Sequence, residues 1–230
     1  MRSVFIETEN VSRFRKAVSL LEDMEKGQPG FMVAYGRAGR GKTFAAQNYF
    51  AEHGGIYIQV WQGWTQTAFL QQLCFEVNGT RPRSSNACKI RIVEELSKEK
   101  RTIFVDEADR LHIHRLEDLR DIHEATGAPV VLIGEEELLG MVSSQRRLWS
   151  RVTQEVKFGP VSGTDIISFA LEAADLVVEP DASALIKQRS GGDFRVVRNL
   201  IQDLEEMAKA RETNTITVKM VRSLPKRVGR

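Results

Sequence analysis

Two stretches of the sequence carry residue types suited to phosphate chemistry. The first is Gly36-Arg37-Ala38-Gly39-Arg40-Gly41-Lys42-Thr43, which follows the apolar run Phe31 to Tyr35 and precedes the helix-compatible run Phe44 to Glu52. The pattern G-x-x-x-x-G-K-[ST] puts glycines where the backbone must turn tightly and aim successive N–H groups at a polyphosphate. The helix N-terminus that follows adds its positive end. Gly36, Arg37, Ala38, Gly39, Arg40, Gly41, Lys42, Thr43 and Phe44 are therefore candidate phosphate-site residues. Within that pattern Lys42 reaches the β- and γ-phosphates and the Thr43 hydroxyl ligates Mg²⁺. The second stretch, Thr102-Ile103-Phe104-Val105-Asp106-Glu107, is an apolar strand that ends in two adjacent carboxylates. Side chains at a strand end project into the crevice where open α/β sheets bind ligands. Asp106 is placed to hold Mg²⁺ through its water shell, and Glu107 to orient and activate an attacking water.

Other candidates are less specific. Glu135, Glu136 and Glu137 follow the buried run Pro129 to Gly134, where one polar residue can contact the γ-phosphate or the water. Three glutamates beside a triphosphate are electrostatically costly, so at least two are expected to point away as first-turn helix acids. Arg146, Arg147 and Arg151 precede the last strand-like run, Val152 to Phe158. An arginine there can project from the domain edge toward a neighbouring subunit's nucleotide and stabilise charge on the transferred phosphoryl group. Cys74 and Cys88 lack C-x-x-C spacing and histidine companions, which leaves two incidental thiols in a reducing compartment. His112, His114 and His123 lie in the helix-like run Arg110 to Thr126; His112 and His114, two apart, do not share a helix face, and these histidines read as surface or loop residues.

The elements that must position these groups are legible as alternating runs. Glu9 to Lys26 reads as an amphipathic helix with Asn10 as N-cap and Val11, Phe14, Val18 and Leu21 on its apolar face. The strand Phe31 to Tyr35 is apolar on both faces, which puts it at the centre of a parallel sheet covered by helices. Gly55 to Val60 reads as the next strand. Trp61, Trp64 and Phe69 follow around a polar stretch, a spacing that suits sealing a core better than a stacking platform for nucleic acid. Helices are expected at about Thr67 to Val77, Ala87 to Lys100 and Arg110 to Thr126. Between Arg81 and Arg101 seven basic residues face three acids. Most of that charge fits a solvated helix face, with phosphate contact by Arg81, Arg83 and Lys89 the minority reading.

Beyond Pro160 the pattern changes to helices only: Thr164 to Val178, Asp181 to Arg189 and Gly192 to Arg211. Asp193 reads as a cap of the last, with Arg195 and Arg198 near one another on its first turns. The expected organisation is an α/β domain over 1–160, a helical lid over 161–224 and a basic tail over 225–230. From Thr213 onward Lys219, Arg222, Lys226, Arg227 and Arg230 occur without an acid, which suits nucleic acid or an acidic partner. The 230 residues, 42% hydrophobic and 28% charged, describe a globular chain, and the net charge of +2 excludes nothing alone. No apolar run approaches a membrane span and the first residues are no signal peptide, so a cytoplasmic protein is expected.

In order and interval these motifs resemble the AAA+ ATPases from about Asn10 to Leu224. Gly36 to Thr43 matches Walker A, Ile103 to Glu107 matches Walker B, and Ile133-Gly134-Glu135 sits at sensor 1. Ser150-Arg151-Val152 is similar to the arginine-finger motif of clamp-loader relatives, and Gly191 to Arg195 to sensor 2. Thr8 to Val11, Val105 to Leu111 and the pattern Leu132-Ile133-Gly134-x-x-x-Leu138 resemble the transposition regulators that include MuB and TnsC, with ExeA-type secretion ATPases as cousins. The resemblance implies a three-layer sandwich with a five-stranded parallel sheet in the order 5-1-4-3-2 and a small C-terminal all-helical lid. It implies binding of ATP and Mg²⁺, a homo-oligomer whose subunits share ATP sites through Arg151, and closure by Arg195. It further implies a helical filament on double-stranded DNA without strong sequence preference, delivery of that DNA to a transposase, and hydrolysis as the release step. Remodelling of the ExeA kind, a replication or repair loader, and structural nucleotide binding without hydrolysis are the alternatives. Glu135 stands where relatives often carry Thr or Asn, which bears on the hydrolysis rate. The residues before Asn10 leave no room for a helix-turn-helix domain, so DNA contact is expected from the ATPase domain and the tail, with Lys226 and Arg227 among the contacts.

Overall fold

The computed structural model describes residues 1–2, 4–25 and 27–225. The tail cations Lys226, Arg227 and Arg230 lie outside the described residues. The chain divides into two compact units, one of residues 11–37 and 41–158, the other of 1–10, 38–40 and 159–230.

The first unit is built on five parallel strands: β1 (Phe31–Tyr35), β2 (Ile56–Gln59), β3 (Ile103–Asp106), β4 (Val130–Gly134) and β5 (Val152–Lys157). They lie in the order β2-β3-β4-β1-β5, which from the other edge is the expected 5-1-4-3-2. β1, β3 and β4 are buried at every residue, as their unbroken apolar runs require of strands covered on both faces. Alternation along the strands sends Phe31, Val33, Ile103, Val105, Val130 and Leu132 into one core. That core is closed by α3 (Gln66–Asn78), α4 (Ser85–Lys98), α5 (Ile113–Thr126), α6 (Glu136–Ser143) and α7 (Arg146–Trp149). Phe104 points the other way and meets Tyr49 of α2 (Lys42–His53), which packs on Phe14 of α1 (Glu9–Glu22). The unit is thus a three-layer sandwich. At the edge, β5 pairs only with β1, and the register slips between Phe31 and Met32 so that Thr153 is the extra residue of a bulge. Arg13 Nη2 donates to the Lys157 carbonyl at 3.0 Å.

The second unit holds α8 (Gly163–Ala174), α9 (Pro180–Ser190), α10 (Phe194–Ala210) and α11 (Val218–Ser223) around a core that includes Phe169, Ile186, Leu200 and Leu204. Ser162 and Asp165 form a reciprocal capping box on α8. Asp193 caps α10, its Oδ1 accepting from the Arg195 and Val196 amides. This unit is not helices only, because β6 (Val177–Val178) and β7 (Thr215–Ile216) pair in parallel. Two residues per strand are too few to show a period of two, although all four are β-branched.

Four local expectations change. Asn10 lies inside α1 and is no N-cap; its side chain pairs with both backbone groups of Gly159. α5 begins at Ile113, because Ala108–Arg110 form a separate 3-10 turn and His112 caps α5 with its ring. His123, unlike His112 and His114, is buried, with Nδ1 2.8 Å from the Ala128 carbonyl oxygen. Trp61 does not seal the core: it is 69% exposed, while Phe69 is fully buried and Trp64 packs partly against the core.

Candidate functional site

The loop between β1 and α2 begins with a residue that must be glycine. Gly36 has φ +148°, and a Cβ there would lie 2.5 Å from the Phe158 carbonyl oxygen. Its sharp exit from β1 turns the chain into α2, whose first residues are Lys42 and Thr43. The Lys42 ammonium is buried and donates to the carbonyls of Gly36, at 2.5 Å, and Arg37, at 3.0 Å. It is held over the loop's own backbone, and no acid salt-bridges it among the described residues. Burial lowers its pKa from the ordinary lysine value, and four carboxylates oppose that shift: Glu135, Asp106, Asp109 and Glu107. One buried cation and four acids therefore converge where β1, β3 and β4 end. Thr43 is half-buried at the start of α2, and Phe44 is exposed.

Asp106 is 2% exposed at the end of β3 and both its oxygens are engaged. Oδ2 accepts from the Tyr57 hydroxyl at 2.7 Å, and Oδ1 accepts from the Glu107 amide at 3.0 Å. Burial, and after it the Asp106 carboxylate, push the Tyr57 phenol well above its ordinary value, which keeps it a donor. Glu107 sits in the left-handed region at φ 57°, unusual for a residue with a side chain. Its Oε2 lies 3.2 Å from Arg110 Nη2 across the 3-10 turn. Asp109 Oδ1 accepts from the Glu135 amide at 3.0 Å, and a Cβ on Gly134 would come within 2.2 Å of that same oxygen. Glycine at 134 is what lets the β3 and β4 exit loops bond to each other. The side chains of Glu135, Glu136 and Glu137 are all exposed.

The remaining candidates lie elsewhere. Arg151, just before β5, pairs with Glu124 of α5 at 2.8 Å, while Arg146 and Arg147 are exposed on α7. Arg195 is exposed in the first turn of α10. In the second unit, which includes the loop tip 38–40, Arg40 Nη1 donates to the Gly191 carbonyl at 2.9 Å and the Phe194 amide donates to that of Gly39 at 2.8 Å. Arg81 stacks over the Phe75 ring at 4.4 Å and donates to Gln72, and Arg83 is exposed. Lys89 bridges Asp118 at 2.6 Å and Asp121 at 3.3 Å, so much of its charge is matched within the chain.

Tyr57, Asp109, Arg110 and Glu124 are the positioning partners that sequence reasoning missed. The structure brings them to Asp106, Glu135, Glu107 and Arg151 through strand pairing, a turn and the approach of α5 to the start of β5. Only the i,i+3 spacing of Glu107 and Arg110 left a signal in the sequence. Among the described residues no three or more His, Cys, Asp or Glu side chains form a metal-holding group. One carboxylate, one hydroxyl and several nearby acids instead suit Mg²⁺, which keeps much of its shell as water and substrate phosphate.

A family model described as "AAA domain" matches residues 25–142. DNA transposition protein B of the Mu-like prophage FluMu of Haemophilus influenzae is 25% identical over 179 residues, covering 72% of this chain and 61% of that protein. ATP-dependent target DNA activator B of Escherichia phage Mu is 25% identical over 175 residues, 72% of this chain and 55% of the relative. The chain thus spans roughly three fifths of the length of these relatives. Among solved structures, Cdc6p of Pyrobaculum aerophilum superposes with a TM-score of 0.68 at 16% identity, covering 97% of this chain and 72% of that one. The RuvB Holliday junction branch migration motor of Thermotoga maritima gives 0.55 at 19%, covering 94% and 68%. With that family model spanning both phosphate-handling stretches, and with the three-layer sheet that carries them, the chain belongs to the AAA domain family and within it is similar to the Mu-type B proteins.

Proposed function

We propose that this protein is an ATPase that activates target DNA for transposition. It binds ATP and Mg²⁺, oligomerises on double-stranded DNA with little sequence preference, in a helical filament, and delivers that DNA to a transposase; hydrolysis is the release step. The observation that carries this reading is the convergence of Lys42, Asp106 and Glu107 at the exit of β1 and β3, in a chain similar to proteins named ATP-dependent target DNA activator.

Gly36 to Phe44 bind the polyphosphate through backbone N–H groups, and Lys42 exchanges its carbonyl partners for phosphate oxygens. Thr43 and Asp106 would hold Mg²⁺, the aspartate partly through water, and the ion would supply charge neutralisation to the polyphosphate. Tyr57 fixes one oxygen of Asp106 and the Glu107 amide fixes the other, so the carboxylate is oriented before the ion arrives. Glu107 takes the proton of the attacking water and is positioned by Arg110. Glu135 acts on Lys42 electrostatically and tempers turnover by competing for its charge. Arg151 is supplied to a neighbouring subunit's site after leaving Glu124. Arg81 and Arg83 contribute to DNA contact, together with Lys226 and Arg227.

Sedimentation with a non-specific duplex tests the reading. Wild-type protein should pellet with DNA in ATP and not in its absence, with affinity falling steeply as salt rises. A Lys42→Ala variant that assembled on DNA in ATP as well as wild type would sink it. ATP turnover indifferent to DNA would favour a remodelling ATPase instead.

A further inference from the structure

The loop after β2 carries an aromatic pair that the nucleotide site does not use. Among the exposed large hydrophobic side chains of the described residues Trp61 is the most exposed, at 69%. Its ring lies 6.3 Å from that of Trp64 with 31° between the planes, and Trp64 packs against the core. Gly63, between them, has φ +82°, which makes the turn that folds one indole back on the other. Both ends of the loop are pinned. The Val60 amide donates to the Asp106 carbonyl at 2.9 Å, Thr65 caps α3, and Gln66 Nε2 reaches both Asp118 oxygens at 3.0 Å. Trp61 is therefore a presented ring on a fixed mount.

Two features decide what such a ring would meet. Gln62, Gly63 and Thr65 around it are exposed and polar, so the patch is a single indole, far below the apolar area of a stable protein interface. No Asp, Glu, Lys or Arg occurs between Glu52 and Glu76, in a chain that is 28% charged. A loop without a cation offers phosphate no ion pair, and no acid on it repels a polyanion. Planar, uncharged and backed by a second ring, the platform matches the face of a nucleobase.

We infer that Trp61, seated on Trp64, is a base-stacking contact to DNA, an inference that rests on the DNA-binding reading above. In an intact duplex the base faces are covered, so the indole gains its contact where the helix is kinked, gapped or frayed. The protein then favours distorted duplex over straight duplex through a contact that salt does not weaken. The same loop starts one residue after the backbone bond to Asp106, which sets the platform directly beside the strand of the nucleotide site.

The test measures anisotropy of two fluorescein-labelled duplexes, one continuous and one with a two-nucleotide gap, against wild type, W61A and W61F in a non-hydrolysable ATP analogue across a salt series. Wild type is expected to prefer the gapped duplex, and W61A to lose roughly ten- to hundredfold in affinity for it. The slope of log affinity against log salt should stay unchanged, since no ion pair is removed. W61F should recover most of the loss, and unchanged affinity for a fluorescent ATP analogue checks that each variant is folded. W61A binding within twofold of wild type on both duplexes would overturn the assignment while leaving the DNA reading intact. So would a loss accompanied by a shallower salt slope, or normal DNA binding with loss of transposase stimulation. Wild-type protein that bound neither duplex would overturn the DNA reading and this inference together.

Discussion

At the scale of single residues, the acidic end of β3 is organised by its neighbours as much as by its own sequence. Replacing Glu107 by Gln removes the proton acceptor and keeps the shape, so turnover should fall by roughly a hundredfold or more while affinity for an ATP analogue is retained. Equal losses in both would contradict the role given to Glu107. Tyr57→Phe removes the donor to Asp106 Oδ2. The expected result is an apparent Mg²⁺ affinity weakened roughly tenfold, read from turnover as Mg²⁺ is titrated, with little change in global stability. Lys42, Asp106 and Glu107 were legible in the sequence because a phosphate loop and a strand-end acid pair are written in consecutive residues. Tyr57 was not, because the strand pairing that sets Gln59 beside Asp106 joins residues far apart in the chain.

At the scale of elements, the β1–β5 pair is tied by a side-chain bond with a pH signature. Tyr35 donates to Glu155 Oε1 at 2.7 Å, and burial followed by that carboxylate raises the phenol from 10.0 to about 12. The folded chain therefore holds this proton more tightly than the unfolded chain. The stability it contributes is complete below pH 10 and is lost as pH rises from there toward 12. Urea midpoints measured between pH 9 and pH 11.5 should fall less steeply for Tyr35→Phe than for wild type; parallel curves would refute the assignment. The cap of α10 offers a second check. Asp193→Ala removes an acceptor for two amides and should cost about 1 kcal/mol, a drop of roughly 2–4 °C in melting temperature for a chain of this size. Strands β1, β3 and β4 were legible as unbroken apolar runs and the α10 cap as Asp before a periodic stretch. The β6–β7 ladder and the outward turn of Trp61 were not. The first is too short for a period, and the second lies in a loop whose turn, at Gly63 with φ +82°, has no periodicity to mark it.

For the whole molecule, the proposed assembly depends on how easily Arg151 leaves Glu124. Both side chains are more than a third exposed, and Glu124 Oε1 is also ion-paired with Arg120, 3.7 Å from its Nε. An exposed pair of this kind is worth no more than about 1 kcal/mol, so freeing Arg151 is cheap. Glu124→Gln should shift the protein concentration at which ATP-dependent assembly is half complete by less than roughly fivefold. Arg151→Ala should remove most DNA-stimulated turnover, on the order of a thousandfold for a trans arginine. If Arg147→Ala did so instead, the trans role would pass to α7. Arg151 was singled out in the sequence by the resemblance of Ser150-Arg151-Val152 to an arginine-finger motif; its pairing with Glu124 was not readable, since that contact joins α5 to the start of β5 across residues far apart in the chain.

No helix among the described residues is long and apolar enough to cross a membrane, but the sheet carries a different hazard. β5 is an outer strand, and an outer strand with a straight row of free amides invites copies of itself to join in amyloid-like stacks. The slip at Thr153 bends that row, Thr153, Glu155 and Lys157 are its exposed side chains, and the Arg13 guanidinium occupies the Lys157 carbonyl. The small irregularity beside β1 thus acts as a gatekeeper, denying other copies a straight edge on which to stack.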